Sequence, residues 1–316
     1  MTKGLVLITG VNDYIAAVTT AYFLRQGYSL RGTVRSLLSA DPLTAGPLRP
    51  YYEAGTLTIV EVPDITVSGA FDVVVTGVTG ILHLASPVSL SFTDPDPVIH
   101  AAQNGTESLL NSALRATNSS PRTLKSVVLM SSIATMVTLD PPPYTITEKD
   151  WNTFALSVVK SQGKSTPGPV IYAASKTAAE RAFWAFRDRH LPSFTMTAVN
   201  PVFVIGAPLI APKSPKEIVV GVGDVARLLR FVVENPMEAD GERYIASSAV
   251  LEAQAVADVL RKEFPEAKSR IREGTPGKGY RKDYQVDPEK LVVAIGGYTG
   301  FAEVIVETAR AFRGLV

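Results

Sequence analysis

Gly4-Leu5-Val6-Leu7-Ile8-Thr9-Gly10-Val11-Asn12-Asp13-Tyr14-Ile15-Ala16 stands at the head of the chain, and its reading decides the fold. Leu5 to Ile8 is a short, continuous apolar run, as expected of a strand covered on both faces of a parallel sheet. Thr9-Gly10 makes a turn, and an apolar-periodic segment follows until Gly27 stops it. Strand, glycine turn, helix and Gly stop form the first half of a β-α-β unit. A helix opening near Tyr14 presents backbone N–H groups and a positive dipole end to an anion.

The alternation continues outward. Ser29 to Arg35 reads as a second strand, Leu57 to Val62 as a third closed by Pro63-Asp64, and Gly80 to Ala85 as a fourth. Ser126 to Met130 is the fifth and Thr195 to Val199 the sixth, ending in Asn200-Pro201. Helices are predicted from the Asp-Pro pairs at 94–97 to about Arg115, and from the Tyr172 region to about His190. The segment 139–169, rich in Pro, Thr and Ser, reads as loop apart from a turn around Trp151. Strands alternating with helices predict an α/β protein with a doubly wound parallel sheet. Residues 1–205 form its core. Residues 222–248 return to that core with a helix to Glu234 and a short strand at Arg243–Ala246. Residues 206–221, a Pro/Lys-rich linker, and 249–316 make a smaller C-terminal substrate lobe.

Composition narrows the function. Of 316 residues, 31 are Lys or Arg and 30 Asp or Glu, a net charge of +1 with no electrostatic footprint for nucleic acid or an anionic membrane. Hydrophobic residues at 46% and a mean hydropathy of +0.16 imply a sizeable core. With Cys 0 and His 3, disulfides and Cys-ligated metal sites are excluded and no metal is expected; His83 and His100 read as packing or surface residues. The apolar stretch Val73 to Leu90 is broken by Gly77, Gly80, His83 and Pro87, which argues against a membrane span. Met1-Thr2-Lys3 runs straight into the first strand with no leader pattern, so the expected compartment is the cytoplasm. Monomer and homodimer both stay open.

In open α/β sheets, ligands lie beyond the carboxyl ends of the strands. Thr9-Gly10, Arg35, Asp64-Ile65, Leu84-Ala85-Ser86, Ser131-Ser132 and the residues after Asn200 all fall at such ends. No acid occupies Thr33, Val34 or Arg35, so nothing there is suited to a free ribose 2′-hydroxyl, whereas Arg35 suits a 2′-phosphate. This favours NADP(H) over NAD(H); a solvated strand-end charge is the alternative. Tyr172 and Lys176 are four residues apart and share one helix face. A neighbouring ammonium favours the phenolate and lowers a Tyr pKa from about 10, giving a proton donor usable near neutrality. A surface pair on an amphipathic helix is the bland reading. Tyr144, Trp151 and Phe203 are candidates to line a substrate pocket, although aromatic residues are more often core.

Taken together, the chain resembles the extended short-chain dehydrogenases/reductases, in particular the dihydroflavonol-reductase and fungal aldehyde/ketoreductase branch. The resemblance rests on residues 9–16, Gly32-Thr33-Val34-Arg35-Ser36, His83 to Pro87, Asn104-Gly105-Thr106, Val128 to Ser132, Tyr172-Ala173-Ala174-Ser175-Lys176 and Asn200 to Val204. It implies a Rossmann sheet and a catalytic set of Ser132, Tyr172 and Lys176. Ser132 would polarise a substrate carbonyl, Tyr172 would protonate the forming alkoxide, and Lys176 would hold the nicotinamide ribose and keep the Tyr pKa low. It further implies NADP(H) contacts from Thr9, Gly10, Asn12, Asp13, Tyr14, Ile15, Arg35, Asp64, Ile65, Leu84, Ala85, Ser86 and Ser131. Tyr172, Lys176 and Pro201, Val202, Phe203 and Val204 complete that set. Substrate contacts would come from Pro87, Ser132, Tyr144 and Phe203.

Two departures qualify it. The family's first turn reads T-G-x-x-G-x-x-G, and here Asp13 and Ala16 replace the second and third glycines. The second glycine lets backbone approach a pyrophosphate, and a carboxylate adds bulk and like charge. The expectation is that Asp13 swings out to solvent or caps its helix, and that cofactor binding survives. The stretch from Gly206 to Asp224 also looks shorter than the family's substrate-covering segment, which suggests an open pocket for a bulky substrate. The reading is an NADP(H)-dependent carbonyl reductase acting on an aldehyde or ketone, with secondary metabolism as a candidate setting. Two alternatives stand beside it: a redox-neutral epimerase, dehydratase or isomerase, and a catalytically silent dinucleotide sensor.

Overall fold

The computed structural model describes residues 2–119, 123–137, 144–209, 221–247, 253–278, 284–287 and 289–312. In chain order its strands are β1 (Leu5–Thr9), β2 (Ser29–Val34), β3 (Leu57–Glu61), β4 (Gly80–His83), β5 (Ser126–Met130), β6 (Tyr144–Ile146), β7 (Thr195–Pro201), β8 (Arg243–Ala246) and β9 (Tyr284–Val286). The helices are α1 (Tyr14–Arg25), α2 (Asp41–Thr44), α3 (Arg49–Glu53), α4 (Pro95–Ser119), α5 (Ala155–Gln162), α6 (Gly168–His190), α7 (Val222–Glu234), α8 (Ala253–Glu263), α9 (Glu289–Ile295) and α10 (Phe301–Ala311). Seven strands form one sheet in the order β3-β2-β1-β4-β5-β7-β8, with every pairing parallel. This is the expected doubly wound Rossmann sheet.

Strand parity explains the two coats of helices. Val6, Ile8, Leu82, Val128 and Val199 point to one face, where they meet Ala16, Ala17 and Phe23 of α1 and Leu228, Leu229 and Val232 of α7. Leu7, Ile81, Val127, Leu129 and Met196 point to the other, against Leu109, Leu110 and Ala113 of α4 and Phe183 and Phe186 of α6. Successive residues alternate faces, so strands apolar on both must be covered on both. Each such side chain contributes about 1.5–3 kcal/mol when fully buried.

The chain leaves β1 toward β2 and β3, then crosses back so that β4 pairs with the other edge of β1. The order reverses between β1 and β4, and a crevice opens beyond their carboxyl ends. The segment 139–169 is not mainly loop. Within its described part, Tyr144–Ile146 pairs in parallel with Tyr284–Val286, and α5 packs on α6. A helix of eight residues, several of them Ser and Lys, lacks an apolar stripe long enough to register as a period and is set by that packing. At the far end Val256, Val259, Leu260, Phe301, Val304 and Ile305 gather around Val202 and Ile205, which places α8 and α10 against the segment after β7. The Pro/Lys linker and the suspected shortening fall mostly on 210–220, outside the described residues. Among the described residues no helix is long and apolar enough to cross a membrane.

Candidate active site

The crevice floor is built from β1 and β4. Thr9 Oγ1 accepts the N–H groups of Leu84, at 3.0 Å, and Ala85, at 2.9 Å, and lies 2.9 Å from His83 Nδ1. With both lone pairs engaged, the Thr9 hydroxyl proton goes to Nδ1, which leaves the ring proton on Nε2. Burial holds the His83 pKa down at about 3, helped by the nearby Lys176, so the ring is neutral. Gly10 follows at φ +68°, and a Cβ there would meet the Ala85 Cα at 3.2 Å. Only glycine combines that φ with that approach. The first turn of α1 then faces the crevice, with Ala16 buried against the sheet. Tyr14 donates its hydroxyl to the Gly206 carbonyl at 2.9 Å, fastening the start of α1 to the segment after β7. Asn12 and Ile15 are half-buried beside it.

Of the two expectations for Asp13, exposure to solvent is met and capping of the helix is not. Its side chain makes no capping hydrogen bond to α1. Although exposed at the crevice mouth, it leans back over the turn, with Oδ2 3.0 Å from where a Gly10 Cβ would be. Desolvation by the surrounding protein raises its pKa, against the pull of Arg35 and Lys176. Arg35 is exposed at the end of β2 and also lowers the pKa of Asp64, after Thr66, which donates both its N–H and its hydroxyl to that carboxylate. Ile65 packs into the α4 side of the core.

On the other side of the crevice, Ser132 follows β5 and Tyr172 rises from α6. The half-buried Tyr172 hydroxyl lies near enough to Ser132 for that side chain to hold its pKa down, and Ser132 Oγ accepts the Ala134 N–H at 3.2 Å. Lys176, one turn further along, is buried and donates to the Met130 carbonyl at 3.3 Å. Burial lowers its pKa to about 8, while Glu180 and Asp13 pull it upward. The expected depression of the Tyr172 pKa by Lys176 is not found. Desolvation raises it, and Ser132 is what opposes the rise. A phenol beside a partly desolvated lysine loses more from leaving water than it gains from the charge.

Behind this pair lies a network that the sequence reading missed. Glu180 Oε1 accepts Arg243 Nε at 2.6 Å; Oε2 accepts Ser131 Oγ at 2.5 Å and Asn200 Nδ2 at 2.7 Å. Arg243 also donates to the Glu148 and Asp150 carbonyls, and its guanidinium stacks 4.0 Å from the Trp151 ring centroid. The Ser131 hydroxyl is thus engaged by Glu180, and Trp151 packs against the Arg243 guanidinium. Tyr144 donates to Asp150 Oδ1 at 2.6 Å and packs beside Met136, Ile146 and Ile245. A signal was present: Tyr172, Lys176 and Glu180 step by four along one helix face. Ser86, Pro87 and Val202 are half-buried, Pro201 and Val204 buried, and Phe203 is 65% exposed.

Residues 6–220 match the NAD dependent epimerase/dehydratase family. The chain is 36% identical to aldehyde reductase 2 of Sporidiobolus salmonicolor over 208 residues, covering 64% of this chain and 58% of that one. It is 28% identical to the NADPH-dependent methylglyoxal reductase GRE2 of Saccharomyces cerevisiae over 309 residues, covering 87% and 86%. The crystal structure of yeast methylglyoxal/isovaleraldehyde reductase Gre2 complexed with NADPH superposes with a TM-score of 0.85 at 27% identity, over 99% of this chain and 100% of that one. A glycine turn with the close approach of Ala85, a helix N-terminus and the Ser132–Tyr172–Lys176 group are parts suited to a dinucleotide. The chain belongs to the NAD dependent epimerase/dehydratase family, within the extended short-chain dehydrogenases/reductases.

Proposed function

We propose that this protein is an NADP(H)-dependent carbonyl reductase that converts an aldehyde or ketone to the alcohol. The observation that carries the reading is the placement of Ser132 just after β5 beside Tyr172 on α6, with Lys176 buried one turn further along. Names borne by its relatives, aldehyde reductase 2 and the methylglyoxal reductase GRE2, support the same class.

The Gly10 turn and the start of α1 would hold the cofactor's phosphates, Arg35 its 2′-phosphate, and Lys176 its ribose hydroxyls. When bound, NADPH supplies the hydride. Ser132 and Tyr172 converge on the position of a substrate oxygen and stabilise the charge that gathers there. With its pKa raised, Tyr172 keeps its proton at neutral pH and so is charged as the acid. Lys176, protonated below about pH 8, places a positive charge behind the phenolate that proton transfer leaves. The substrate class stays at aldehydes and ketones.

The test is a titration of the purified chain with NADPH and NADH, followed by NADPH oxidation against a panel of aldehydes and ketones. NADPH binding with carbonyl-dependent oxidation is expected. Failure to bind either dinucleotide would overturn the reading.

A further inference from the structure

We propose that Asp13 acts as a built-in competitor for the bridging phosphates of the dinucleotide, setting a cofactor affinity lower than the same turn would give without its charge. The inference rests on the proposed function.

Position is the first argument. Asp13 sits immediately before α1, with its own N–H donated to the Gly10 carbonyl at 2.9 Å. Its carboxylate lies over that turn, Oδ2 3.0 Å from the point where a Gly10 Cβ would be. The helix N-terminus and the glycine turn are the parts of the fold that bind an anion through backbone N–H groups. Asp13 brings an anion of its own to the same place.

Charge is the second. The cations that act on the Asp13 carboxylate are Arg35, at the end of β2, and Lys176, on α6. They stand at the two ends proposed for the cofactor, the 2′-phosphate and the nicotinamide ribose. Both are near enough to act on the Asp13 carboxylate. It uses part of the positive field that phosphates would otherwise receive, and it repels them directly. Nothing else on α1 offsets this, because the first turn of the helix carries no further charge and the carboxylate caps no N–H. The penalty falls on the bridging phosphates, which NADPH and NADH share. It therefore changes both affinities, and the draw on Arg35 adds a further loss for NADPH alone.

Calorimetric titration of the full chain and of Asp13→Asn and Asp13→Gly with NADPH and with NADH tests this. Asn keeps the size and removes the charge, whereas Gly removes both. Both variants should tighten NADPH and NADH by at least ten-fold each, NADPH by the larger factor, with melting temperatures showing that all three proteins are folded. NADPH binding that agrees within two-fold across the three proteins, or weakens in the variants, would overturn the role of Asp13 and leave the reductase reading standing. Binding by none of the three would overturn both.

Discussion

Glu180 and Arg243 meet at 2.6 Å in the interior, the carboxylate fully closed from solvent and the guanidinium nearly so. Both Glu180 oxygens are in use, and the pair joins α6 to β8, to the turn after β5 and to the 148–150 backbone. It sits one helical turn behind Lys176 and is one source of the negative potential that keeps the ammonium protonated. The same ion pair therefore bears on stability and on the titration of the site.

Arg243→Leu should destabilise the protein by about 3–5 kcal/mol, since it strands a buried carboxylate. Adding Glu180→Gln to that variant should recover part of the loss. Denaturant unfolding of the two single variants and the double checks both points; equal losses in all three would count against the pair acting as a unit.

Carbonyl reduction should weaken as pH rises through about 8, because that is where Lys176 gives up its proton. Glu180 raises the Lys176 pKa, so Glu180→Gln should move this alkaline limb to lower pH. The profile of kcat/KM against pH for the wild type and the variant is the measurement.

Tyr172→Phe should lower kcat by about 10²–10⁴ by removing the positioned acid. The melting temperature should change little, and NADPH affinity should stay within a few-fold. A variant that retains full turnover would point to another proton source.

Arg35→Ala should weaken NADPH binding by about 10- to 100-fold, the size of a lost charge-assisted contact, and leave NADH nearly unchanged. Parallel titrations read the ratio directly. Equal weakening of both would move Arg35 away from the 2′-phosphate.

His83 gives a stability prediction with a defined sign. Its folded pKa, about 3, lies below the ordinary 6.5, so the unfolded chain binds the proton more readily. The contribution is complete above about pH 6.5 and is lost as pH falls toward 3, on the order of a few kcal/mol. Thermal melts across that window should decline less steeply for His83→Gln than for the wild type.

The sheet was legible because buried parallel strands are written as unbroken apolar runs, and Leu5–Ile8 and Ser126–Met130 needed no tertiary knowledge. The strand ends then located the crevice, and helical spacing placed Tyr172 over Lys176. Other features depended on distance through space. Arg243 and Glu180 are far apart in sequence, and each alone resembles a solvated charge. The pKa of Tyr172 follows from how deeply α6 sinks beside Ser132, which no local pattern records. Likewise, the short α5 exists because α6 supports it.

Gly168, the first residue of α6, lies against the segment after β4: a Cβ there would fall 2.3 Å from the Leu90 carbonyl oxygen and 3.1 Å from the Phe92 N. Just before the helix, Lys164 holds Asp94 of that same segment at 2.7 Å. The segment and the base of α6 thus share one seat, and Tyr172 stands one turn above it. A shift of that segment would therefore be felt at the base of the helix that carries Tyr172.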